Sequence, residues 1–186
     1  MKAIGIIGSP RKKGSTTLLV SEALRGLKES GAQTREYFLN EMNIKGCQGC
    51  RACNKPETVC VQKDDMAILY EEIRSADAVV IGSPVYMCQM TGQTKLFVDR
   101  LYAFLNPDFS HRLGEGRKTL MIYTQGQPPT ELFKDSFNLN KSVLALLGLK
   151  IQDTVVAGGL RDPEDLLKQK EIMEKAYNAG KALAAS

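Results

Sequence analysis

Five short apolar runs alternate with stretches of helical periodicity, and this alternation constrains the fold more than any other feature of the chain. The runs are residues 3–8 (AIGIIG), 34–39 (TREYFL), 78–82 (AVVIG), 119–124 (TLMIYT) and 151–157 (IQDTVVA). After the first, Ser15 is placed to cap a helix in which Leu18, Leu19, Ala23, Leu24 and Leu27 recur on one face until Gly31. Asp64 or Asp65 opens a second helix to about Ser75. Ser83-Pro84 stops the third run, and residues 91–105 carry Leu96, Phe97, Leu101 and Phe104 at helical spacing. A fourth helix spans about 131–147 before Gly148. Asp162-Pro163 opens the last, with Leu166, Met173, Ala176, Tyr177 and Leu183 on its packing face.

Strands that each lead into a helix form a parallel sheet covered on both faces, because the crossover helices have nowhere else to pack. Five strands with five helices suit the flavodoxin-like order 2-1-3-4-5 better than the six-strand dinucleotide fold. The expectation is therefore one α/β doubly wound domain over residues 1–186, interrupted by a cysteine-rich loop at about 46–63. In that order the ligand crevice lies beyond the carboxyl ends of strands 1 and 3.

A chain that is 43% hydrophobic buries a core without help from metal or disulfides. Its net charge of +4 is spread along the sequence, which suits anionic small molecules and gives no basic block for nucleic acid. No positive segment precedes a long apolar one, and no apolar run is long enough for a membrane, so a cytoplasmic protein with reduced thiols is expected.

Three loops face the expected crevice. Residues 8–17 (GSPRKKGSTT) offer hydroxyls, the Arg11 guanidinium and amides at a helix N-terminus, the components of a phosphate site. They fit neither the P-loop nor the G-x-G-x-x-G pattern. Ser83-Pro84-Val85-Tyr86-Met87-Cys88 gives a fixed backbone able to meet the edge of a flat heterocycle, with Tyr86 or Met87 along its face. Cys88 reads as a small buried hydrophobe. Thr124-Gln125-Gly126-Gln127-Pro128-Pro129 adds a polar turn, and the lone histidine, His111, reads as a solvated loop residue.

Four of the five cysteines fall in one segment as Cys47-x2-Cys50-x2-Cys53-x6-Cys60. An iron–sulfur cluster, a zinc ion, disulfides and free thiols are all open to such a group. Structural zinc usually takes two ligand pairs separated by a longer insert, whereas consecutive x2 gaps occur where a ferredoxin loop wraps a 4Fe–4S cubane. Lys45, Arg51, Lys55 and Lys63 would offset the charge of a thiolate cluster. In the expected strand order this loop opens on the crevice edge, one or two strand spacings, roughly 5–10 Å, from strand 1.

The G-S-P-R-x-x-G-S-T run at residues 8–16 and the Pro84-Val85-Tyr86 run resemble the flavodoxin-like NADPH-dependent FMN reductase family, and with the compact cysteine motif its iron–sulfur flavoprotein branch. The resemblance implies FMN, with Ser9, Arg11, Ser15, Thr16 and Thr17 around the phosphate and Pro84, Val85, Tyr86 and Met87 at the isoalloxazine. Thr124 and Gly126 complete the expected cofactor set, and Cys47, Cys50, Cys53 and Cys60 the expected metal set. It also implies a homodimer or homotetramer. The expected function is an FMN-dependent oxidoreductase exchanging electrons between FMN, a 4Fe–4S cluster and a small-molecule or ferredoxin-type partner. The alternatives are a cluster-free NAD(P)H-dependent FMN or quinone reductase, and a non-enzymatic electron carrier or redox sensor.

Overall fold

The computed structural model describes residues 1–55 and 58–185; Pro56 and Glu57 of the cysteine loop and the terminal Ser186 lie outside the described residues. Strands β1 (Lys2–Ile7), β2 (Gln33–Phe38), β3 (Ala78–Tyr86), β5 (Arg117–Thr124) and β6 (Leu149–Ala157) form a parallel sheet in the order β2-β1-β3-β5-β6. With β4 (Gln89–Met90) set aside, this is the flavodoxin-like order expected from the sequence. β4 pairs antiparallel with the end of β3.

The two innermost strands are apolar on both faces because both faces are covered. Ile4 and Ile6 of β1, with Val79 and Ile81 of β3, point into a core closed by α2 (Met66–Ser75), α3 (Gly92–Arg100) and α4 (Lys134–Leu146). Ala3, Ile7 and Val80 point to the other side, against α1 (Ser15–Glu29) and α6 (Lys170–Ala185). Each fully buried Ile, Leu or Val contributes about 1.5–3 kcal/mol. On that second side the helices meet backbone to backbone: a Cβ on Gly180 would lie 1.9 Å from the Ala23 carbonyl oxygen.

Four expectations are corrected. Ser83-Pro84 does not end the third strand, since Pro84 stays in register with Thr124 of β5 and the strand runs on into a hairpin. The helix expected over 91–105 is α3 followed by a 3-10 turn at Leu101–Phe104. The last helix is divided into α5 (Pro163–Lys168) and α6 at Gln169. Ser15 does not cap α1: Gly14 holds the cap position, with no side-chain bond to the helix amides. Among the described residues no helix is long and apolar enough to cross a membrane.

Candidate functional site

The carboxyl ends of β1, β3 and β5 meet at a narrow cleft of about 60 Å³. Ser9, Arg11, Ser15, Thr16, Pro84, Val85, Tyr86, Thr124 and Gly126 all line it, so nine of the eleven residues expected to hold a cofactor come together. The loop after β1 is built around the Arg11 carbonyl, which accepts from the Gly14 amide at 3.1 Å and the Thr17 hydroxyl at 3.1 Å. The Arg11 amide donates to Ser9 Oγ at 3.1 Å. These bonds leave the Arg11 side chain exposed at the mouth of the cleft, with the first turn of α1 beneath it. Thr16 Oγ1 and Thr124 Oγ1, 2.6 Å apart, tie α1 to β5.

Thr17 and Met87 do not line this cleft. Thr17 is spent on the loop's own carbonyl. Met87 is 95% exposed at the hairpin tip, where it and Cys88 both have positive φ, 47° and 66°. Cys88 is therefore exposed, not buried. Two further residues line the cleft: Gln125, read from the sequence only as part of the polar turn, and Leu160, which nothing in the sequence singles out. Leu160 follows β6, which reaches the same edge. Gln125 is almost fully buried, and its Nε2 donates to the carbonyls of Gln127 and Pro129 at 3.0 and 2.7 Å. Its buried Oε1 has no partner among the described residues.

A second cavity, of about 350 Å³, is lined by Cys47, Cys50, Cys53 and Cys60 together, with Arg51, Asp99 and Tyr102 among its other walls. Left-handed residues on either side of Cys50, Gly49 at φ 63° and Arg51 at φ 57°, curl the chain around it. Cys47 and Cys50 are exposed, Cys53 and Cys60 half-buried, and none is in a disulfide. Burial pushes the Cys53 thiol pKa up, and Cys60, Cys47 and Cys50 nearby add to the shift. Among the described residues, no three His, Cys, Asp or Glu side chains are grouped so as to hold a metal ion.

The neck of this loop is held by a buried ion pair. Arg100 forks onto Asp64, Nη1 to Oδ2 at 2.5 Å and Nη2 to Oδ1 at 3.0 Å, and Nη1 also donates to the Lys45 carbonyl at 2.8 Å. The Asp64 carboxylate accepts from the amides of Lys45 and Met66 at 3.0 and 3.2 Å. Burial pushes the Asp64 pKa upward, but Arg100 and these amides more than reverse it, leaving it below the usual carboxylate range.

Residues 1–128 match the model of the family described as NADPH-dependent FMN reductase. The chain belongs to this family. Within it the chain falls in the iron–sulfur flavoprotein branch. It is 32% identical over 183 residues to an iron–sulfur flavoprotein of Archaeoglobus fulgidus, a match covering 96% of this chain and 80% of the relative. An iron–sulfur flavoprotein of Methanocaldococcus jannaschii is 45% identical over 105 residues, 56% of this chain and 52% of that one. Among solved structures, an NAD(P)H:quinone oxidoreductase from Methanothermobacter marburgensis superposes with a TM-score of 0.77 at 18% identity, covering 98% of this chain and 96% of that one. That likeness speaks for the fold.

As a member of the FMN reductase family, the chain is an FMN-dependent oxidoreductase. The cysteine loop of this reductase does leave the same sheet edge as the loop after β1, as expected, because β2 and β1 are parallel neighbours. It then folds down beside α3. The cleft and the cysteine cavity share no lining residue, and the cavity wall includes Asp99 at the far end of that helix. His111 is not a solvated loop residue either: it is half-buried, bridges to Leu105, and keeps a buried Nδ1 without a partner among the described residues.

Proposed function

We propose that this reductase binds FMN at the cleft and a 4Fe–4S cluster at the four cysteines, and exchanges electrons between them and an external redox partner. FMN takes two electrons from a hydride donor and releases them singly, and a cluster accepts them one at a time. The protein's part is binding and orientation. Arg11 and the uncapped amides of α1, including those of Ser15 and Thr16, receive the phosphate. The buried Gln125 Oε1 accepts a hydrogen bond from the cofactor, and Tyr86 lies along the ring with Pro84, Val85, Thr124 and Gly126 around it. A cleft of about 60 Å³ suits a phosphate-sized group, and Pro84, Val85 and Tyr86 at its rim would hold the flavin ring. A second subunit would cover that rim, so the protein works as a homodimer or homotetramer. Cys47, Cys50, Cys53 and Cys60 ligate the cluster.

The observation that carries the cluster reading is that all four thiols line a single cavity, in a chain of the iron–sulfur flavoprotein branch. The donor is NAD(P)H or a ferredoxin-type protein, in the cytoplasm. Neither nucleic acid nor membrane is a partner. Among the residues lining the cleft only Arg11 and Tyr86 are titratable, in keeping with a reaction whose chemistry belongs to the cofactor.

The test is anaerobic purification with iron, sulfide, zinc and flavin quantified on one sample beside its visible spectrum. The expected result is one FMN with iron and sulfide in equal amounts on each chain. Flavin without iron after anaerobic reconstitution, with rapid NAD(P)H oxidation by quinone, would replace this reading with a cluster-free NAD(P)H-dependent FMN or quinone reductase.

A further inference from the structure

Arg100 heads the largest fully buried side chains of the protein, at 2% exposure. Moving a guanidinium out of water costs several kcal/mol even when it is paired, and an apolar side chain at the end of α3 would fill the same space without that penalty. The described bonds of the Arg100 side chain all go to one place. They reach the Lys45 carbonyl, two residues before Cys47, and both oxygens of Asp64, four residues after Cys60. Asp64 in turn grips the Lys45 amide, so Lys45 is held through both its N–H and its C=O. Next door, Asp65 and Asn43 exchange two further bonds, of 2.7 and 3.1 Å.

The rest of the loop has a second tether from the same region of the chain. Arg112 Nη1 donates to the Thr58 carbonyl at 3.0 Å. At the neck itself, the Tyr70 hydroxyl donates to the Arg100 carbonyl at 2.8 Å, which fixes the backbone that carries the guanidinium. Cys60 lies within electrostatic reach of both Arg100 and Tyr70. Arg100 Nε is buried and has no partner among the described residues.

We propose that Arg100 is a positioning residue for the cysteine site: its fork onto Asp64 and its bond to Lys45 close the neck of the loop and thereby set the spacing of the four thiols. The inference rests on the reading that these thiols hold a cluster. A planar fork is required, because two parallel bonds to one carboxylate and a third to a carbonyl fix orientation as well as distance, which an ammonium cannot reproduce.

The test compares Arg100→Lys, Asp64→Asn and the paired apolar variant Arg100→Met/Asp64→Leu with the wild type. Hydrogen exchange of the bonded amides at the neck and within the loop, those of Asn43, Lys45, Asn54, Thr58 and Asp65, is measured on iron-free protein, and iron, sulfide and FMN are measured after anaerobic reconstitution. The single variants are expected to exchange these amides about tenfold faster while α1 and β1 keep their protection. Iron per flavin is expected to fall about tenfold at unchanged flavin content, with loss of the cluster's visible absorption. The paired variant removes the buried charges and so stays folded even if the single ones do not, yet it has the same loose loop and the same iron loss. Unchanged loop exchange in folded variants, or wild-type iron in the paired variant, overturns the proposal. If the wild type itself takes up no iron, the cluster reading falls, and the exchange comparison still decides whether Arg100 orders the loop.

Discussion

The Thr91 hydroxyl donates to the Gly8 carbonyl at 2.8 Å, joining the start of α3 to the loop that leaves β1. The bond belongs to a fully buried cluster of hydroxyls: Ser83 Oγ accepts from the Thr91 amide at 3.0 Å and from Thr94 Oγ1 at 3.1 Å. Thr91→Val leaves the Gly8 carbonyl and Thr94 short of partners. Thermal unfolding should report a loss of about 1–3 kcal/mol, accompanied by weaker FMN binding in a fluorescence titration.

Gly8 is needed for space. An added Cβ would stand 1.8 Å from Thr94 Oγ1, so Gly8→Ala must displace either α3 or the loop after β1. FMN affinity should drop about tenfold or more, the penalty of roughly 1–3 kcal/mol for overpacking. Adding Thr94→Ala removes the colliding atom, and the double variant should recover part of the loss; strictly additive effects would show that the collision is not the cause.

Arg11 makes no ion pair among the described residues and stands at the mouth of the cleft. Arg11→Ala should weaken FMN binding by about 1.5–3 kcal/mol, the range for hydrogen bonds to a charged group, while riboflavin, which has no phosphate, should bind equally to both proteins. Equal FMN affinity in the two proteins would remove Arg11 from the site.

The hairpin tip should be improvable in stability. Met87 and Cys88 hold left-handed conformations that cost side-chain-bearing residues about 1–2 kcal/mol each, and such turns favour Asn-Gly. Met87→Asn/Cys88→Gly should raise the unfolding midpoint. A matching drop in turnover would mark the strained tip as part of the working site.

The buried ion pair predicts an acid dependence. Asp64 titrates below its unfolded value of about 3.9, so its contribution is complete above that pH and is lost as the pH falls through the folded value. Asp64→Asn should be less stable at pH 7 by about 3–5 kcal/mol, the cost of breaking a buried pair, and in urea unfolding the gap to the wild type should narrow progressively as the pH is lowered below about 4.

What the sequence reveals and what it hides divide along physical lines. β1 and β3 are legible because burial on both faces demands unbroken apolar runs. The phosphate loop is legible because its hydroxyls, glycines and arginine sit side by side in the chain. The end of α3 is not, since Leu101 and Phe104 keep a helical spacing through a 3-10 turn. The exposure of Cys88 follows from a tight turn that Met-Cys does not announce. Asp64 and Arg100 are 36 positions apart, and each has a local explanation, one as a helix cap and the other as a cation at a helix end. Only their meeting in three dimensions makes them the neck of the cysteine loop.

α3 carries Thr94, packed on Gly8, toward one end and Arg100, bonded to Lys45 and Asp64, at the other. The six residue steps from one to the other rise about 9 Å and turn through roughly 600°. One inserted residue would swing Arg100 by about 100° off Asp64 while Thr94 stayed in place, and four would nearly restore the angle but overshoot the carboxylate by about 6 Å. Insertions in the cysteine loop or the hairpin leave this pitch untouched. The count of residues along this stretch of α3, about one and two-thirds turns, is thus the dimension along which this chain tolerates no drift.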